Sequence, residues 1–451
     1  MKKIVLIIVA LFIVGALAVP LVVKKQVDTQ IQNNKTILRE SGVELDVTKD
    51  EGYFSSYREF KLKIVNGRKF RDFVLTRFVE KNPNYKGLTE LLQKQSNNDI
   101  RPALDGTTFS GNMKNSNLYL TSPLIEISLT KFSDEIMSSI DGHDEVDDLM
   151  NSILKDKLFT FFITLDSDQK ISQIVMQDID KNIDDNGKTI NVKLKNHKLD
   201  IDITKSLKGV YALGEQLISA DNFMFDLKGL EYKFDYITQF ENSNEVHINS
   251  IKFKESNSVI KIGNIDISNS IKASTDETLD ADLIYKIKDI YANDNQIFEL
   301  DRLLFELKVL ELDKKGVVNA SKAYNELAFN PSQNSINIIT NSLQKILNRG
   351  FRADLVTSLS GLHFKNMSFD NANFKLNLKV DKNSYTLQSN DIVNALLVNG
   401  KLTLDEKNVK DIIKLDRSFI KFAKLGKKEG SKIVFDYEFK DGKLLLNGKK
   451  I

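Results

Sequence analysis

The residue types that most often do chemistry are few and widely spaced in this chain. The four histidines are His143, His197, His247 and His363, and no HExxH motif joins any of them. His143 and Asp147 are four residues apart and could share a helix face with Asp144, which would bring together an imidazole and carboxylates as metal ligands. A solvated acidic helix start explains the same residues more simply. We therefore predict no metal site.

One segment approaches a calcium-binding loop. It reads DIDKNIDDNGKT and begins at Asp178. An EF-hand requires Gly at position six and Glu at position twelve, where this chain has Ile183 and Thr189. The segment is therefore interpreted as a hairpin turn without a bound ion.

Two serine–lysine pairs fit the S-x-x-K pattern of acyl-transfer enzymes. They are Ser152 with Lys155 and Ser342 with Lys345, but the companion motifs S-D-N and K-T-G do not occur. There is also no G-x-S-x-G, Walker A or G-x-G-x-x-G motif. We predict a protein that is not an enzyme, with no catalytic residues and no cofactor.

The composition narrows the classes of partner. The 451 residues include 64 basic and 62 acidic side chains, so the formal net charge is only +2. Nucleic-acid binders usually carry a clear basic excess, so no nucleic-acid partner is expected. Cysteine is absent, which excludes disulfides and thiolate metal sites.

An uncharged segment near the N-terminus predicts membrane insertion. Residues 4–23 are apolar throughout and lie between lysine pairs, and their length suits a helix that crosses a bilayer. A cleaved signal peptide ending near Ala16-Leu17-Ala18 is the alternative. We favour an uncleaved signal-anchor over residues 1–25, with the inner membrane as partner through residues 4–23. The expected location is the bacterial inner membrane, single-pass, with the bulk in the periplasm.

The rest of the chain is dominated by apolar residues that alternate with polar ones. This period of two is typical of antiparallel strands with one dry and one wet face. The alternating runs are 43–47, 60–64, 125–129, 159–165, 199–203, 223–227, 303–309 and 374–380. Turn signals are Asp184-Asp185-Asn186-Gly187, Asn242-Ser243-Asn244 and Asp441-Gly442.

Helical spacing appears in three places. Apolar residues recur at helical intervals over 336–347, with Asn330-Pro331 before them and Gly350 after them. Residues 406–424 and 145–158 predict further amphipathic helices. The predicted fold class is therefore α+β, mostly antiparallel β-sheet with several amphipathic helices, preceded by one N-terminal transmembrane helix. We expect a β-rich region over 26–208 and an α+β region over 209–451.

A short motif, Gly52-Tyr53-Phe54-Ser55-Ser56, separates the first two alternating runs. Gly52 permits a bend that a side chain would hinder. Phe54 has the parity of the apolar residues that follow, and the two serines can bond to backbone at a turn. No histidine is near enough in sequence to activate a serine, so we interpret the motif as a structural corner.

This motif, together with one near the C-terminus, resembles the YdgA/YihF-like family of bacterial envelope proteins. The C-terminal stretch has Gly442 followed by apolar residues and then Asn447-Gly448, as in that family's closing hairpin. The family's first motif can have Trp where this chain has Tyr53. The resemblance implies a membrane-anchored periplasmic protein of unknown biochemical function that could form a homodimer. It supplies no catalytic residue.

Two functions follow from these observations. The first is a non-catalytic scaffold or self-association role in the envelope. The alternative is a binder or carrier of lipid or another apolar ligand at the inner-membrane surface, suggested by long strands with one apolar face and by 27 phenylalanines.

Overall fold

The structure is a computed structural model of the chain. It describes residues 25–52, 55–81, 104–116, 123–140, 151–166, 170–185, 188–202, 206–329, 332–364, 367–383 and 396–450, apart from the single positions 26, 30, 152, 239, 295, 416, 418 and 441.

Strands make up most of the described chain, and helices punctuate them. The strands are β1 Val43–Glu51, β2 Ser55–Ile64, β3 Thr108–Ser116, β4 Leu124–Lys131, β5 Thr160–Leu165, β6 Ile171–Met176, β7 Ile179–Asp185, β8 Lys188–Lys195, β9 Lys198–Asp202, β10 Leu207–Ala220, β11 Phe223–Thr238, β12 Glu241–Glu255, β13 Ser258–Ile262, β14 Ile265–Ala273, β15 Thr278–Asn293, β16 Ile297–Asp313, β17 Phe351–Phe364, β18 Met367–Val380, β19 Leu396–Asp405, β20 Lys427–Glu429, β21 Lys432–Lys440, β22 Lys443–Leu446 and β23 Lys449–Lys450. The helices are α1 (25–40, apart from 26 and 30), α2 Gly67–Lys81, α3 Asp134–Ile140, α4 Lys314–Phe329, α5 Gln333–Arg349, α6 Glu406–Leu415 and α7 Phe419–Ala423.

The predicted antiparallel sheet is confirmed. The alternating runs fall on β1, β2, β4, β5, β9, β11, β16 and β18, and neighbouring strands pair antiparallel. One turn prediction is wrong, because Asn242-Ser243-Asn244 lies inside β12 rather than between strands. Asparagine is rare within strands, and Asn244 is held there by hydrogen bonds to side chains of neighbouring strands.

Two helix predictions can be compared with the structure. The first is confirmed by α5, which is capped by the Ser332 hydroxyl accepting from the Ser335 backbone N–H and which ends at Gly350, with φ 78°. The second, over 406–424, is divided between α6 and α7. Of the third, predicted over 145–158, residues 151 and 153–155 are helical, and 145–150 and 152 lie outside the described residues.

The predicted transmembrane helix requires correction. Within the part of the chain that the structure describes, no helix is both long enough and apolar enough to cross a membrane. Residues 4–23 lie outside the described residues, and α1 is rich in polar side chains. The predicted fold class is therefore wrong in its N-terminal transmembrane helix, and the predicted single-pass inner-membrane location is wrong with it.

The described residues form two compact units. The first contains residues up to 189 together with 193–205, and the second contains 206–451 together with 190–192. In the first unit, β1 to β6 pair in chain order, and β9 follows β6. In the second, the order is β10-β11-β12-β14-β15-β16-β17-β18-β19-β21, and the short β13 pairs with β12 and β15.

The best-defined apolar core of the second unit lies at its C-terminal end. Leu404, Val409, Phe435 and Leu446 are buried together there, and side chains of α6 and α7 pack around them. The Phe422 ring of α7 stacks on Phe435 with 4.6 Å between ring centroids. Through this core, α6 and α7 pack against the sheet at β18, β19 and β21.

Candidate functional site

The ten-stranded sheet of the second unit has one face without charge. Its strand registers align four rows of residues across β10 to β21, forty positions in all, and none of these described residues is charged. The two central rows are Gly209, Phe234, Asn244, Asn269, Leu283, Leu307, Leu355, Leu376, Gly400, Tyr437 and Tyr211, Tyr232, Val246, Ile267, Tyr285, Phe305, Thr357, Phe374, Leu402, Phe435. The outer rows are Leu207, Tyr236, Asn242, Ile271, Ala281, Val309, Ala353, Leu378, Val398, Phe439 and Leu213, Leu230, Ile248, Ile265, Ile287, Leu303, Leu359, Ala372, Leu404, Ile433. We call these four rows the apolar face.

The opposite face of the same strands is polar. One of its rows contains Glu231, His247, Asp266 and Lys286 side by side on β11, β12, β14 and β15. Successive side chains of a strand point to opposite sides, so the alternation in sequence places most of the polar residues on this face, with apolar exceptions such as Ile284, Leu304 and Val356. Water can solvate the polar face, whereas the apolar face is stable only where something covers it.

Helices cover only part of the apolar face. Among the described residues, α4 and α5 contact β16, and α6 contacts β18, β19 and β21, while β10 to β15 make no extensive contact with a helix. All forty side chains are half-buried except Leu213, Ile265, Leu404 and Phe435, which are buried. With about 4.8 Å between strands and about 3.4 Å per residue, the face on β10 to β17 measures roughly 29 Å by 20 Å. That is on the order of 600 Å², as large as the largest apolar patches on typical monomers.

Most of the polar side-chain atoms on this face are gathered in one place, at β11, β12 and β14. The Asn244 Oδ1 accepts hydrogen bonds from the Tyr232 hydroxyl at 2.8 Å and from the Tyr236 hydroxyl at 2.7 Å. The Asn244 amide nitrogen donates to Asn269 Oδ1 at 3.0 Å. We call these four residues the Tyr–Asn cluster. Its bonds explain how Asn244 is tolerated in mid-strand, because its amide is paired across the sheet.

Two further tyrosines of the apolar face are half-buried. Burial raises the pKa of Tyr211 on β10 and of Tyr437 on β21, at opposite ends of the face. Their hydroxyls therefore stay protonated at neutral pH and can serve as neutral hydrogen-bonding groups. The face can take up apolar groups and bond uncharged polar ones, but its forty described positions offer no counterion.

The polar face has a shallow cavity of about 350 Å³ beside His247. The His247 Nδ1 lies 2.6 Å from Asp266 Oδ1, and its Nε2 lies 2.8 Å from Asn249 Oδ1. These hydrogen bonds, first that with Asp266 and then that with Asn249, raise the pKa of His247. The dyad has no activated nucleophile within the described hydrogen bonds, and a structural cross-strand pair accounts for it.

A second cavity of about 620 Å³ lies at the end of α5. Its arginines are engaged by carboxylates: Arg349 bonds Glu277 at 2.7 Å and Arg352 bonds Glu311 at 2.6 Å. Charged and polar side chains make up most of the lining of both cavities, so neither suits an apolar ligand. In the described part of the chain, no group of three or more His, Asp or Glu residues could hold a metal ion.

The N-terminal motif forms a tight connection in the first unit. Gly52 has φ 103°, and a Cβ there would lie within 3.0 Å of the Ser55 carbonyl, so only glycine fits. Tyr53 and Phe54 lie outside the described residues. Ser55 opens β2, and Ser56 is fully buried.

A buried arginine beside this motif, Arg58, was not predicted from the sequence. Its side chain is 2% exposed, and it donates to Asn115 Oδ1 at 2.9 Å and to Asp28 Oδ1 at 2.7 Å. Its Nε lies 3.5 Å from Asp50 Oδ1. The sequence contains a sign of this burial, because Arg58 lies an even number of residues from Leu62 and therefore on the same face of β2 as its apolar residues. A cation at an apolar position predicts a buried ion pair.

The C-terminal motif has a structural role too, through two turns and the hydrogen bonds of Asn447. Gly442, with φ 69°, lies in the turn between β21 and β22, and Asn447-Gly448 turns β22 into β23 with φ 48° and 77°. The Asn447 side chain accepts from the Asp436 backbone N–H at 2.9 Å. Its amide nitrogen donates to the carbonyls of Leu425 at 2.6 Å and of Val434 at 3.2 Å. These bonds tie the final turn to the core at the covered end of the sheet.

Together these features define an antiparallel β-sheet protein with one polar face, one apolar face and structural motifs near both ends. A family model described as "Bacterial protein of unknown function (DUF945)" matches residues 159–417, more than half of the chain. The protein belongs to this family, which confirms the expected membership in a bacterial family of unknown function. No curated protein and no solved structure matches it.

Proposed function

We propose that the protein binds an elongated apolar ligand, such as an acyl chain, on the apolar face. The observation that carries this proposal is the set of forty positions without charge, most of them aliphatic or aromatic. Burying apolar area releases on the order of 25 cal/mol per Å², so a chain lying across several strands would be held without any specific bond.

The distribution of polarity favours an amphiphile over a protein partner. A protein surface mixes polar and apolar groups over short distances, and even interfaces are only slightly more apolar than the remaining surface. On the apolar face, all three asparagines lie on β12 and β14, while β16 to β21 carry almost only aliphatic and aromatic residues. A surface with one polar end and a long apolar remainder complements an amphiphile, which has a polar head and an apolar chain.

The proposed role is binding rather than catalysis. The scaffold or self-association role expected from the sequence uses the same surface, since a second copy of the chain could cover it. The narrower YdgA/YihF-like assignment stays a prediction.

The test uses the full chain and a neutral apolar dye, N-phenylnaphthylamine, whose fluorescence rises in dry surroundings. The chain contains no tryptophan, so Phe305→Trp places a single donor on the apolar face for energy transfer to the dye. Binding with efficient transfer supports the proposal. Native mass spectrometry with organic extraction of the purified chain then identifies any co-purifying lipid.

Matched variants on β17 locate the site. Leu355 belongs to the apolar face and Val356 to the polar face of the same strand. Leu355→Asn should weaken dye binding about fivefold to tenfold, or about 1–1.4 kcal/mol, whereas Val356→Asn should leave it unchanged. Equal effects of the two substitutions, or no binding at all, would refute the proposal. A dimer that excludes the dye would show that a second copy covers the face.

A further inference from the structure

We propose that the Tyr–Asn cluster binds the polar end of the ligand and selects an uncharged one, such as the hydroxyl or ester group of a monoacylglycerol. This inference rests on the proposed function, because it assigns a role to one part of the apolar face. The cluster consists of Tyr232, Tyr236, Asn244 and Asn269, joined by hydrogen bonds of 2.7 to 3.0 Å.

The position of the Tyr–Asn cluster on the apolar face supports this role. The cluster lies on β11, β12 and β14, toward the end of the sheet where helices make no extensive contact among the described residues. The opposite end is covered by α6 and α7. A ligand whose polar end contacts the cluster can extend its chain across β15, β16 and β17, where the two central rows are Leu283, Leu307, Leu355, Tyr285, Phe305 and Thr357.

The cluster has bonding capacity left for a ligand. A primary amide nitrogen carries two donors, and among the described residues the Asn269 amide nitrogen has no hydrogen-bond partner. The Tyr236 hydroxyl donates to Asn244 and lies 3.4 Å from the Tyr232 hydroxyl, and a hydroxyl oxygen can also accept. The site therefore presents an amide donor and a phenol acceptor together, which complements a group that contains both hydroxyl and carbonyl oxygens.

The absence of charge sets the selectivity. No cationic residue occurs at the forty described positions of the face. A carboxylate or phosphate placed at the cluster would lose water without gaining a counterion, and burying an uncompensated charge is far more costly than burying a bonded neutral group. An uncharged polar end avoids that cost.

Competition with N-phenylnaphthylamine tests the inference on the full-length protein. Monoolein and oleate carry the same hydrocarbon chain and differ in head group, so their displacement constants at pH 8 compare a neutral end with a charged one. We expect monoolein to displace the dye at a concentration at least tenfold lower than oleate. In the Tyr232→Phe/Tyr236→Phe variant this preference should fall about fivefold or more, because each lost hydrogen bond to the ligand or its support weakens binding by roughly that factor.

The control is Tyr291→Phe, which removes a phenol on β15 outside the four rows of the apolar face and should keep the wild-type preference. Asn269→Leu provides a second route if the double variant melts at a lower temperature than the wild type. An equal or greater affinity for oleate, or a preference that survives both cluster variants, would overturn the inference while leaving apolar binding intact. If the wild-type protein does not bind the dye itself, the proposed function fails first.

Discussion

The buried Arg58 offers the sharpest test of what holds the first unit together. We expect Asp28→Ala to destabilise this unit by about 3 kcal/mol, because it leaves a buried guanidinium with a partner missing. The structure sets the magnitude: Arg58 is 2% exposed, its bond to Asp28 is 2.7 Å long, and Asp28 is 41% exposed. A charge-assisted hydrogen bond contributes roughly 1.5–3 kcal/mol, and exposure of Asp28 limits the total.

A double-mutant cycle separates the ion pair from other effects of the substitutions. In the Arg58→Met background, which keeps an aliphatic stem but has no charge, Asp28→Ala should cost about 0.5 kcal/mol or less, because there is no longer a cation to neutralise. The coupling should therefore be about 2–3 kcal/mol. Arg58→Met alone should be much milder than Asp28→Ala, since a buried ion pair can often be replaced by an apolar side chain at little cost.

The assay is urea denaturation of each variant with a fluorophore in the first unit. Tyr57→Trp on β2 supplies the only tryptophan of the chain, so the signal reports this unit alone. Glu40→Ala is the matched control, an acidic residue of the same helix for which no ion pair is seen among the described residues. A coupling below about 0.5 kcal/mol would refute the claim that the pair anchors α1 to β2.

Three further predictions concern the second unit. Asn447→Ala should lower the free energy of unfolding, measured by urea denaturation, by about 2–4 kcal/mol, because it removes three side-chain hydrogen bonds at a residue with a left-handed φ. Asn447→Gly should lower it by less, because glycine adopts this φ without strain. Equal losses in the two variants would contradict this account. The pKa of His247 is raised in the folded protein, so its pair with Asp266 contributes its full stabilisation below the unfolded pKa of 6.5. This contribution is lost as the pH rises through the folded pKa. An NMR titration should show a lower His247 pKa in the Asp266→Asn variant than in the wild type. Gly316→Ala should lower the melting temperature although alanine is the better helix former, because its Cβ would lie 2.8 Å from the Ile346 Cγ1; an unchanged or higher value would show that the contact yields.

The two short motifs, at Gly52 and at Asn447, act through backbone geometry and packing. Gly52 allows the connection that leads into β2, four residues before the buried Ser56 and six before the buried Arg58. Asn447 ties the last turn to β21 and to the loop after α7. Both motifs are therefore determinants of the fold.

Much of this architecture could be predicted from the sequence, because alternation is a local property of the chain. The pattern of apolar and polar residues on β16 and β18 depends only on successive side chains pointing to opposite faces, so it predicts strands and their dry sides directly. The cap and glycine stop of α5 are also local signals.

Long-range packing decided the rest. Which strands are neighbours depends on contacts between distant residues, so only the tertiary structure aligned the four rows of the apolar face. The same is true of Arg58, whose partners Asp28 and Asn115 lie 30 and 57 residues away. Asn242-Ser243-Asn244 has the local composition of a turn, yet it lies in a strand because Tyr232, Tyr236 and Asn269 satisfy Asn244 across the sheet. The sequence by itself determined the strands and their two faces, and tertiary hydrogen bonding decided where a polar cluster could lie within the dry one.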